Sequence, residues 1–164
     1  MASGNTQRDG SGDTWWQVVD NLGRQRIYDD WSPGLTYDTN ADDSDKTFTV
    51  PTSTEWKIKS IWVSYVSTST AGNRQLTIEI QDASSNIIAR LKAGTTQAAS
   101  QTRYYLFAPD VPDLTAFRDT NHLTTTMPTW VLPASYVVRV YDSGTVAPAA
   151  DDMSVYILLE SRPV

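Results

Sequence analysis

Glu55-Trp56-Lys57-Ile58-Lys59-Ser60-Ile61-Trp62-Val63-Ser64-Tyr65-Val66 is the stretch on which the fold class turns. Trp56 and Ile58 alternate with polar neighbours, and Ile61, Val63 and Tyr65 resume the alternation one residue out of phase. A period of two marks a half-buried strand, and a one-residue slip inside it predicts a bulge at Lys59-Ser60. Further along, Leu76, Ile78 and Ile80 form one face with Thr77 and Glu79 opposite. Asp82-Ala83-Ser84-Ser85-Asn86 then reads as a tight hairpin turn, after which Ile87, Ala89 and Leu91 continue the pattern.

The same reading extends to both sides. Lys46 to Val50 alternates until Pro51, and Arg103 to Phe107 is a β-prone run closed by Pro109. Residues 109–121 read as a long surface loop, and His122 to Thr126 and Trp130 to Leu132 as short strands. Tyr136, Val138 and Val140 share a face, and Met153, Val155, Ile157 and Leu159 give the closing strand its inward side. No segment after residue 45 has a helical period. The expectation is an all-β domain over residues 46–164: an antiparallel β-sandwich or jelly roll of about eight strands.

Residues 1–45 differ in kind. They are rich in Gly, Asp, Asn, Ser and Thr and too poor in aliphatics to offset an ordering entropy of about 1–2 kcal/mol per residue. They nevertheless carry Trp15, Trp16, Tyr28, Trp31 and Tyr37, rings that a purely solvated tail has little use for. This is read as an N-terminal arm with those five residues as interface anchors. Two conformations fit residues 14–23: an extended strap, or a short helix near 15–22. Thr14 and Gln17 have capping-box spacing, and Gly23 is suited to end such a helix.

Composition excludes several functions. The 164 residues contain no Cys and one His, so thiolate metal sites, disulfides and His-rich zinc sets are ruled out. A net charge of −6 argues against binding a phosphate backbone. No apolar run is long enough for a membrane helix, and Met1 to Asn5 has neither the basic flank nor the apolar core of an export signal. No nucleic-acid or membrane partner is expected.

Candidate chemical sites reduce to ordinary structure. Asp38-Thr39-Asn40-Ala41-Asp42 opens like a calcium loop, but Asp43 stands where the turn needs Gly and Thr49 where the bidentate Glu belongs. It reads as an acidic solvated linker. Asp142 with Asp151-Asp152 has the residue types of a glycosidase pair or cation site, yet reads better as an Asx turn and a solvated start to a strand. His122 has no nucleophile partner in any recognisable motif, and Gly72-Asn73-Arg74 is a turn whose Arg74 is expected to pair with an acidic neighbour. The expectation is no catalytic residue, no metal and no cofactor. Of the strand tryptophans Trp56, Trp62 and Trp130, at least two are expected in the core.

From Trp56 onward the chain resembles a known family. Gly72-Asn73-Arg74, the Asp82 to Asn86 hairpin, Tyr105-Leu106-Phe107-Ala108-Pro109, and Leu132-Pro133-Ala134-Ser135-Tyr136-Val137-Val138-Arg139-Val140-Tyr141-Asp142 leading to Asp151-Asp152-Met153 are similar to capsid cement, or decoration, proteins of tailed bacteriophages. Members often carry Gly where this chain has Ser135, so the turn there is expected to be built differently. The resemblance implies a jelly-roll-like virion structural protein without catalysis. It implies a homo-oligomer, with a trimer the first choice and a dimer the second. Its partner would be the major capsid protein, and its place the outer capsid surface. The alternative is a carbohydrate-binding β-sandwich module of a phage tail fibre or secreted protein. A glycan-cleaving enzyme using Asp or Glu pairs is a more distant rival.

Overall fold

The computed structural model describes residues 5–8, 14–17, 31–111 and 120–164. The chain divides into two units, Met1–Asp30 and Trp31–Val164. In the first, β1 (Asn5–Arg8) and β2 (Thr14–Gln17) pair antiparallel. The capping-box helix therefore does not begin at Thr14: that residue opens a strand, opposite Arg8. Cross-strand pairing here supersedes a cap signal that rests on two side chains. Residues 18–23 lie outside the described residues.

The second unit is all-β among its described residues. Its strands are β3 (Ser32–Asp38), β4 (Asp45–Thr49), β5 (Thr54–Val66), β6 (Leu76–Gln81), β7 (Ile87–Lys92), β8 (Thr102–Ala108), β9 (His122–Thr126), β10 (Val131–Leu132), β11 (Val137–Asp142) and β12 (Asp152–Pro163). One sheet runs β3-β12-β5-β8-β9, with the short β10 also on β5, and the other runs β4-β11-β6-β7. The pairing is nested. If β9 and β10 are set aside as insertions, the first strand pairs with the last, the second with the second-last, and so inward to the β6–β7 hairpin. A hairpin of hairpins wound into two sheets is a jelly roll.

The core lies between the sheets. Ile58, Ile61, Val63 and Tyr65 from β5 and Met153, Val155, Ile157 and Leu159 from β12 meet Leu76, Ile78, Ile80, Val138 and Val140 from the smaller sheet. The phase slip in β5 is a bulge at the expected place. Leu158 opposes Ser60 and Leu159 opposes Ile58, which leaves Lys59 as the extra residue. Trp56 is buried and Trp130 packs against the core. Trp62 faces away from it.

Three expectations are corrected. Ser32–Asp38, assigned by composition to the arm, is a strand of the larger sheet. Pro33 and Gly34 hide it in the sequence, yet both suit an edge strand, and a Cβ on Gly34 would touch Leu159 at 3.0 Å. The sheets are not wholly antiparallel, because β9 runs parallel to β8. A parallel neighbour needs a long connection, which the 109–121 segment supplies. Finally, β12 continues to Pro163 and is longer than its apolar alternation.

Candidate interaction face

The turns and ionic groups come first, because they account for the polar candidates. Asp142 accepts hydrogen bonds from the backbone N–H of Gly144 (2.8 Å), Val146 (3.1 Å) and Gln75 (2.6 Å), the Asx turn expected of it. Asp151 is not solvated. It and Arg74 are both fully buried and paired, with Arg74 Nε donating to Asp151 Oδ2 at 2.8 Å. Thr68 donates to Asp151 Oδ1 through N and Oγ1, each at 2.7 Å, and Tyr65 Oη donates to Oδ2 at 3.1 Å. Burial pushes the Asp151 carboxyl up, but the bonds from Arg74, Thr68 and Tyr65 outweigh it and hold it below its ordinary value. This is a structural staple with every acceptor position in use. No site on it is open to a substrate.

The calcium-like segment is also occupied from within. Lys46 is buried, and its ammonium meets Asp42, Asp43 (3.2 Å) and Asp38 (3.8 Å) and donates to the Asn40 carbonyl at 2.9 Å. A tethered cation fills the ring of oxygens, so the segment is a lysine loop and not a solvated linker. Among the described residues no group of three or more His, Asp or Glu side chains is arranged to hold a metal ion.

The outer faces of the two sheets contrast. On the smaller sheet, Arg139 pairs with Asp45 and lies over Tyr141 at 4.2 Å, Tyr141 Oη donates to Glu79 at 3.0 Å, and Arg90 Nε donates to Glu79 at 2.9 Å. Those flat-lying side chains bury Glu79 and Thr77 on what the alternation marks as the outer side. The face satisfies its own charges, with exposed apolar groups only at its β7 edge, where Ile87 and Ile88 stand open to water among the described residues.

The larger sheet presents rings. Its cross-strand rows place Tyr37, Tyr156, Trp62 and Leu106 in succession, with Leu35 opposite Leu158 and Tyr104 opposite His122. Tyr37 stacks on Tyr156 at 5.9 Å between centroids, Trp62 on Tyr104 at 5.7 Å, and Tyr104 on His122 at 4.8 Å. Leu35 (58%), Tyr37 (61%), Tyr156 (37%) and Leu158 (49%) remain exposed. The rows from Tyr37 to Leu106 and from Leu35 to Ser60 carry no carboxylate or ammonium; charge returns at both ends of the face, with Asp152 opposite Val66 at one and Glu160 paired with Lys57 at 3.1 Å and Lys59 at 3.4 Å at the other.

The five proposed anchors divide accordingly. Tyr37 belongs to this face. Trp31 is partly buried at its charged end, with Lys57 Nζ 5.5 Å and the Arg162 guanidinium 4.6 Å from its ring. Trp15 and Trp16 lie in β2 of the first unit, and Tyr28 lies outside the described residues. Alternation alone did not identify Trp62, Tyr104, Tyr156 and Leu158 as a surface set. The signal was present in β8 and β12, where Tyr104 and Leu106, and Tyr156 and Leu158, put apolar groups on the outer side as well as the inner one.

No protein-family model and no curated protein matches the chain in sequence. Among solved structures, a particle of infectious bursal disease virus is similar at 11% identity and a TM-score of 0.33, over 90% of this chain and 39% of that one. The Gt strain of the same virus gives 12% and 0.33 over 88% and 35%, and an exo-β-agarase gives 8% and 0.32 over 100% and 22%. The chain thus spans well under half the length of each neighbour. At this level of superposition none of them carries an argument about it.

Proposed function

We propose that this chain is a non-enzymatic virion structural protein that decorates the outer capsid surface of a tailed phage. In this reading its N-terminal unit ties the β-sandwich to a neighbouring capsid subunit. One observation carries the proposal: among the described residues, every buried apolar residue of the core falls between Phe48 and Leu159, within the second unit. The segment before that unit holds Trp15, Trp16 and Tyr28, large aromatic side chains suited to anchor a protein contact. Repetition over symmetry-related copies multiplies a modest contact through avidity. The resemblance described above supplies the phage setting.

The test is co-sedimentation of the full chain with particles that lack it, assembled from the virion whose genome encodes it. The Trp15→Ala/Trp16→Ala double variant is expected to lose at least about tenfold in affinity, since two large aromatic anchors are removed. Undiminished binding contradicts the tie.

The exposed rings on the larger sheet favour a second reading, a carbohydrate-binding module. A pyranose needs a free ring face to stack on. Here Tyr37 with Tyr156, and Trp62, Tyr104 and His122 in turn, spend ring faces on one another at offset-stacking distances. The protein-binding reading is therefore preferred, and binding on a glycan panel that is lost in Trp62→Ala would reverse that preference.

A further inference from the structure

The geometry points to the outer face of the larger sheet as the surface through which two copies of this chain associate, the aromatic rows of one packed on those of the other. This deepens the proposed function by naming the self-contact of the decorating module.

Charge comes first. The chain carries −6, and identical acidic molecules repel wherever carboxylates face each other. The smaller sheet's outer face holds Asp45 and Glu79, whereas the cross-strand rows from Tyr37 to Leu106 and from Leu35 to Ser60 hold no carboxylate. Those rows are where a second copy meets no ion pair that it would have to strip of water.

Area comes second. Leu35, Tyr37, Tyr156 and Leu158 retain 37–61% of their surface. At about 150–250 Å² for a large side chain, they offer on the order of 400 Å², and the exposed His122 with the half-buried Trp62, Tyr104 and Leu106 raises this to about 600 Å². Two copies then bury about 1,200 Å², the lower bound of a specific interface. A single sheet face of this size matches the largest patch that a monomer ordinarily leaves open, about 300–600 Å², and a patch of that size is often functional. Face-to-face packing at about 10 Å between sheets interdigitates the upright rings of both copies. The contact is isologous, each face meeting its own counterpart across a two-fold axis.

Sedimentation equilibrium of the full chain is expected to show reversible dimerisation at about 10–100 µM, the regime of an interface at this lower bound. Tyr156→Glu and Leu158→Glu each place a carboxylate opposite its like and are expected to weaken association by about tenfold or more. Ile88→Glu, on the other sheet, is expected to leave it unchanged. A photo-reactive phenylalanine analogue at position 156, in the otherwise native chain, provides a readout independent of variant folding. It is expected to cross-link to Leu35, Tyr37, Tyr104 or Leu158 of another copy.

A chain monomeric throughout that range overturns the proposal, as does a dimer indifferent to both carboxylates. Cross-links from position 156 to residues 1–30 also overturn it. None of these outcomes touches the co-sedimentation result for Trp15 and Trp16, so the two claims fail separately.

Discussion

Asp151 shows what a single residue can and cannot announce in a sequence. Beside Asp152, next to a turn, it has the look of a solvated pair; the fold instead buries it against Arg74, Thr68 and Tyr65. Arg74 was readable as the partner of some acidic group, but the group was not, because residues 74 and 151 meet only through the nested topology. The consequence is testable. The folded carboxyl is held below its ordinary value, so its contribution is present above the unfolded value of about 3.9 and is lost as pH falls through the lower folded one. Asp151→Asn should cost about 3–5 kcal/mol near neutrality, since Arg74 is left as an unpaired buried charge. Urea unfolding as a function of pH should show that deficit shrinking below about pH 4. A deficit constant with pH would mean that the pair is not ionised in the fold. Ser135 is a different case. It sits at φ 67°, in the left-handed region that favours glycine, so the turn keeps the backbone shape a Gly there would give and places a serine in it.

At the scale of elements, the sequence was most informative where alternation was long. β5, β6, β11 and β12 bury the residues that their period assigns inward. The bulge at Lys59 was legible for the same reason, because a slip of phase has one structural meaning when both halves stay in one sheet. β3 was not legible: its apolar positions, Leu35 and Tyr37, point outward, and Gly34 and Thr36 face in. A strand whose inner side is small and whose outer side is apolar inverts the usual pattern. The parallel pairing of β9 was equally hidden, since short runs carry no direction. The bulge gives a sharp prediction. Deleting Lys59 joins Ile58 to Ser60 and makes the alternation continuous from Trp56 to Tyr65, so the shortened chain should fold with its far-ultraviolet spectrum intact. Deleting Ser64 breaks a clean alternation, turns Tyr65 and Val63 to opposite faces, and should abolish cooperative unfolding. Equal tolerance of both deletions would show that register is not set by this strand.

At the scale of the whole molecule, its parts differ in character: an ionic sheet that satisfies itself, an aromatic sheet that does not, and an N-terminal segment whose sequence is rich in rings. Fold class could be read from periodicity because the core is a matter of pattern. The aromatic face could be read only in part, since Tyr37, Tyr156, Trp62 and Leu106 become neighbours through strand order and not through proximity in the chain. On the proposed function and self-contact, the sandwich meets its own kind and the leading segment holds the shell. Cryo-electron microscopy of the phage particle that the proposed function requires measures that division most directly. The account predicts density for the sandwich outside the shell, with residues 1–30 traced onto an adjacent capsid subunit and Trp15 and Trp16 in contact with it. A particle without the chain, or one in which the sandwich alone touches the shell while residues 1–30 do not, would contradict it.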